Sequence, residues 1–119
     1  MTDTYRESEA LLALPDAEIL AKLGVDLLGP QAVPQRPAEL AERGRRWLEA
    51  QRDYLEKEIC SNESLRQFVQ GTNDNAAIAV ELATLLAGLL LPVNPVALAV
   101  LFAKRGLKSF CSIRWSAHV

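Results

Sequence analysis

At 119 residues, 50% of them hydrophobic and 24% charged, the chain has the length of one domain and enough apolar content for a single core, which excludes disorder as its default state. Its formal net charge of −2 excludes the strongly basic balance of a dedicated nucleic-acid binder. The charges are nonetheless divided: every acid lies in residues 1–81, while 82–119 carry Lys104, Arg105, Lys108 and Arg114 and no acid. Either an acidic first part folds against a basic last part, or the basic tail faces an anionic surface.

In chain order, Thr2-Asp3-Thr4 and Arg6-Glu7 make a polar opening without the apolar run of a secretory signal, and residues 1–8 are expected to fray. Glu9–Leu14 (EALLAL) suits a short helix. Pro15 then opens PDAEILAKLG. Proline fits a first helical position, Asp16 and Glu18 favour the positive end of the dipole, Lys22 sits near the other end, and Gly24 is expected to close the helix in a left-handed cap. After Val25–Leu28, the three prolines and one glycine of GPQAVPQRP (29–37) predict an extended, semi-rigid linker. The organisation expected is an N-terminal helical arm (1–28), a Pro-rich linker (29–36) and a helical body (37–119) within a single domain.

The longest helix is predicted from Pro37 to Cys60. Ala41, Leu48, Leu55 and Ile59 line one side, with Trp47 and Tyr54 beside them, a narrow apolar seam near heptad spacing. The other faces place Glu42 with Arg46, Arg45 with Glu49, Arg52 with Glu56 and Asp53 with Lys57 at i, i+4, each pair contributing roughly 0.2–0.5 kcal/mol. Acids interleaved among Arg43, Arg45 and Arg46 dilute any nucleic-acid signal, and Trp47 reads as a packing anchor. Ser61 or Asn62 caps the next helix, SNESLRQFVQ, whose Leu65, Phe68 and Val69 have core spacing. GTNDN (71–75) is a loop, with Asp74 or Asn75 as the following cap.

Residues 76–108 are the most apolar stretch, and from Ala76 to Ala103 the one charge is Glu81. Ala76–Leu91 and Val96–Ala103 both fall short of the about 20 apolar residues that span a bilayer. PVNP between them removes two N–H donors and biases Leu91 and Asn94 away from helical dihedrals. Two helices joined by a tight turn, about 74–91 and 95–108, are therefore predicted. Ile78, Leu82, Leu85, Leu86 and Leu89 share one face. Ala79, Ala83 and Ala87 form a small-residue row that Ala99, Ala103 and Gly106 nearly repeat, which lets two backbones approach closely. Glu81 either points to solvent from a polar stripe shared with Thr84 or acts as an acid partnered by Lys104 or Arg105 inside the hairpin. Phe110, Ile113 and Trp115 either fold back or stand at an interface.

The fold class expected is all-α, a small bundle of four to six helices with this apolar hairpin. No phosphate loop, nucleophile elbow or metal-ligand spacing is present. Cys60, Cys111 and His118 have no local motif for a metal or a nucleophile, so no enzyme activity, cofactor or metal is expected. Two cysteines make no disulfide framework, and the expectation is a cytoplasmic chain with both thiols reduced. The surplus of apolar residues points to a protein-interaction module that binds a protein partner or forms a homo-oligomer. Leu86, Leu90, Val93, Lys104, Arg105 and Lys108 are its candidate contacts, and Leu11, Leu12, Ile19, Leu20 and Leu23 those of the arm. The alternative is a membrane-active protein that inserts residues 76–103 into lipid, with Lys104, Arg105 and Lys108 at the headgroups.

Overall fold

The computed structural model describes residues 3–116, and among them every regular element is helical. The order is α1 (Asp3–Leu12), α2 (Asp16–Leu28), a 3-10 turn (Gly29–Ala32), α3 (Pro37–Ala50), α4 (Arg52–Cys60), α5 (Glu63–Gln70), α6 (Asn75–Ala87), α7 (Pro95–Arg105), α8 (Leu107–Phe110) and α9 (Ser112–Ser116). The all-α bundle read from periodicity is thus the fold. Its helices outnumber four to six because the 37–60 helix breaks at Gln51, whose φ of −93° and ψ of 0° flatten the backbone into a turn, and because two short helices close the chain.

The α6–α7 hairpin is the core. α6 and α7 pack together with Ala79, Ala83, Ala99 and Ala103 all buried, small side chains that permit close backbones, and Leu82, Leu86, Leu98 and Leu101 fill the same core. Both helices start on side-chain caps. Asp74 accepts from the Ala76 and Ala77 amides at 3.0 and 3.3 Å, and Asn94 from Val96 and Ala97 at 2.8 and 3.4 Å. They also end sooner than expected, at Ala87 and at Arg105. Gly106, with φ of 99°, terminates the second in a conformation that costs glycine little.

Helix α2 packs antiparallel to α7, pinned at both ends. At one end Asp16 pairs with Lys104 at 3.3 Å and Arg105 at 3.2 Å; at the other the Asn94 amide donates to Asp26 at 2.8 Å. Helix α3 returns antiparallel along α2. Gly24, expected as a cap, instead lies in the middle of α2, which continues to Leu28 and ends on Gly29 at φ 59°. Its task is contact. A Cβ there would stand 2.1 Å from the carbonyl oxygen of Leu40, and one at Gly44 would stand 2.2 Å from that of Leu20. The crossing is reciprocal because both helices carry Leu-Ala-x-x-Gly, at 20–24 and 40–44.

The N-terminal residues are not frayed from position 3 onward. α1 lies across α6 and α7, with Ser8 and Leu11 buried, and the Tyr5 hydroxyl donates to Asp74 at 2.7 Å. The candidate arm contacts Leu11, Ile19, Leu20 and Leu23 are likewise inside, and Leu12 is packed against them, so the arm is part of the same core as the body.

One further expectation is corrected at the C-terminal side. Cys60 and Cys111 are not reduced thiols but a buried disulfide, with Cα atoms 5.4 Å apart across a sequence separation of 51. Sequence distance hid this pairing, which exists only once α4 and α8 meet. Next to it, Trp115 folds back and its indole N–H donates to the Cys60 carbonyl at 2.9 Å. Phe110 turns inward against Phe102, their ring centroids 4.7 Å apart, whereas Ile113 stays exposed.

Candidate functional site

The structure divides the residues selected from sequence. Leu86 and Val93 are buried within the bundle and present no surface to a partner or to lipid, because the hairpin's apolar faces are filled by α1 and α2 of the same chain. Lys104 and Arg105 are held by Asp16, Lys104 also donating to the Leu14 carbonyl. Arg114 pairs with Glu56 at 3.2 Å. Three of the four C-terminal cations therefore meet acids from the first part of the chain, and Lys108 is left exposed. Leu90 alone of the candidate apolar contacts is fully presented, at 88% exposure.

Leu90 has an unusual backbone. In the turn between α6 and α7 it holds φ at 56°, the left-handed region, and it is the one non-glycine residue with positive φ among those described. For a bulky L-residue that conformation costs roughly 1–2 kcal/mol. Its side chain recovers none of this by burial. Because α2 and α3 are both antiparallel to their neighbours, the same end of the bundle carries the turn from α2 to α3. Val33 of that turn is 88% exposed, and Val25 on the last turns of α2 is 44% exposed. Pro30, Pro34 and Pro92 are exposed there too. One end of the molecule thus presents two stiff, proline-bearing loops, each with an aliphatic side chain in water.

The opposite end of α7 lines a groove of about 510 Å³ against α3 and α4. Phe102, Phe110 and Leu48 form its floor, and Arg45, Arg52, Arg105 and Glu49 stand around it. Two of the four predicted ion pairs on the long helix are made: Glu42 with Arg46 at 3.1 Å and Arg45 with Glu49 at 2.6 Å. The other two, Arg52 with Glu56 and Asp53 with Lys57, are not formed among the described residues. Arg114 takes Glu56 instead, an attraction that no local spacing reveals.

Electrostatics here are structural. The Arg45 hydrogen bond, against some opposing desolvation and aided by Arg46, holds the Glu42 carboxyl down at about 2. Partial burial works to raise Asp16, but hydrogen bonds from Arg105 and Lys104 and their charges outweigh it and leave the group below its ordinary value. The Tyr5 hydroxyl, with the Ala77 and Ala76 amides, lowers Asp74 against a modest desolvation. Glu81 and Thr84 both face solvent.

The disulfide occupies both cysteines, His118 lies outside the described residues, and no group of three His, Cys, Asp or Glu side chains among the described residues is placed to hold a metal. No helix among them is long and apolar enough to cross a membrane. Comparison of the chain with protein-family profiles, curated proteins and solved structures gives no match.

Proposed function

We propose that the chain is a non-enzymatic binding module that docks a protein partner, another copy of itself included, through the apolar end formed by the α6–α7 turn and the α2–α3 turn. The observation that carries this reading is Leu90. It is a large aliphatic side chain held in water on a backbone conformation that costs energy and gives the fold nothing in return. The neighbouring prolines stiffen both loops, so little conformational entropy is lost when they are covered. The membrane alternative is weaker on this geometry, since Lys104 and Arg105 are engaged by Asp16 and the hairpin is covered by α1 and α2.

A photo-crosslinking side chain placed at position 90, compared with the same group at exposed position 81, tests the reading. Crosslinks to protein formed from 90 and not from 81, together with binding of a hydrophobic dye that Leu90→Asp abolishes, are the expected result. Equal crosslinking from both positions, or a strictly monomeric chain that binds no dye, would falsify it.

A further inference from the structure

We propose that the groove between α3–α4 and α7–α8 is a binding site for a small amphipathic carboxylate, an anionic head on an aliphatic or aromatic tail. It lies at the far end of α7 from Leu90 and does not depend on the docking surface there. Its volume of about 510 Å³ lies within the roughly 300–1,000 Å³ of small-molecule sites, which combine an apolar lining with a few placed polar groups.

The floor takes the tail. Phe102 and Phe110 are tilted at 50° with centroids 4.7 Å apart, and Leu48 faces them across the groove. The rim takes the head. Arg45 is engaged at all three nitrogens, its Nε and both terminal nitrogens bonded to Glu42 and Glu49. Arg105 commits only Nε, to Asp16 at 3.2 Å, so its terminal N–H groups remain available on a guanidinium already fixed in place. Arg52 makes no hydrogen bond or ion pair among the described residues and offers all five donors. Two guanidiniums with spare donors beside an apolar floor match a carboxylate, which arginine binds in a bidentate, charge-assisted manner.

The charge balance has the right sign. Arg45, Arg52 and Arg105 line the groove against Glu49 alone, and the acids that pair with Arg45 and Arg105 from outside it, Glu42 and Asp16, are shared with Arg46 and Lys104, which leaves it positive. The C-terminal dipole of α7 opposes an anion here with only about half a charge, and Arg105 in its last turn answers it.

The test is an amide-resolved NMR titration of the full oxidised chain with sodium octanoate, 1-octanol and inorganic phosphate, repeated on Arg52→Gln and Glu49→Gln. Octanoate should shift the amides of Leu48, Arg52, Ser109 and Phe110, and bind about tenfold more tightly than either of the other probes. Arg52→Gln should weaken octanoate about tenfold, the loss expected for one charge-assisted contact, with an unchanged unfolding midpoint because Arg52 supports nothing in the fold. Glu49→Gln, which removes the rim carboxylate and frees one terminal nitrogen of Arg45 while Glu42 keeps the rest in place, should tighten it. Octanol binding as well as octanoate, phosphate binding as well as octanoate, shifts confined to other residues, or no response to Arg52→Gln would each overturn the proposal.

Discussion

Gly24 lies directly against the carbonyl of Leu40, so close that a methyl group in place of its hydrogen would come within 2.1 Å of the oxygen. Gly44 repeats the arrangement on Leu20 at 2.2 Å. In an ordinary helix interior, glycine to alanine stabilises by up to about 1 kcal/mol. Here the neighbour is backbone and cannot rotate aside. Gly24→Ala and Gly44→Ala should therefore destabilise, by about 1–3 kcal/mol each after overpacking. Gly71→Ala, whose nearest neighbours would be 3.6 Å away, provides the contrast and should stay near neutral. Urea unfolding midpoints decide the sign, and stabilised Gly24→Ala would mean that α2 and α3 stand further apart.

The disulfide closes a loop of 51 residues that contains α5, α6, α7 and α8. Loop-closure entropy alone predicts that Cys60→Ala with Cys111→Ala costs about 4 kcal/mol, much of the stability of a domain this size. The native chain should weigh two hydrogens less than its reduced form and show no thiol reactive to a standard thiol reagent. Two titratable thiols in the folded state would refute the pairing.

Acid should loosen the fold within a definite window. Glu42, Asp16 and Asp74 all have folded values below their ordinary 4.5, 3.8 and 3.8. A depressed carboxyl contributes stability that is fully present above its unfolded value and is lost as pH falls through the folded one. The melting temperature should thus be flat from neutrality to about pH 5 and decline below that, with the Glu42 contribution persisting to about 2. Asp16→Asn should lower the neutral melting temperature and flatten part of the acid decline, since it releases Lys104 and Arg105 together.

Leu90→Gly gives the opposite sign from most truncations. The substitution relieves about 1–2 kcal/mol of left-handed strain and adds up to about 1 kcal/mol of unfolded-chain entropy, so the net expectation is a gain of about 0.5 kcal/mol. Calorimetric melting measures it. A loss of stability would show that Leu90 packs against its own bundle.

Much of the scaffold was legible because it is local. The apolar run interrupted by PVNP predicts the hairpin, Pro37 marks the start of α3, and of the cap candidates Ser61 or Asn62 and Asp74 or Asn75, it is Asn62 and Asp74 that the amides of Leu65 and Ala76 engage. What escaped was whatever depends on a distant partner. Gly24 has the same local appearance as a cap or as a contact, and only the arrival of Leu40 separates the two. Arg52 has Glu56 one turn away, yet Arg114 claims that acid from 58 positions further on. Apolar periodicity could not tell Leu86 and Val93, which face inward, from Leu90, which the turn directs outward.

Pulled from its two ends, this chain would not extend to its full length. The covalent ring from Cys60 to Cys111 short-circuits 51 residues, about 170 Å of extended backbone. Force applied on either side of the ring reaches α1 to α4 and the chain beyond Cys111, but never the hairpin itself. The most apolar segment of the protein is therefore mechanically sheltered, and a stretched or partly threaded chain keeps that surface gathered in a loop until the sulfur bond is cut.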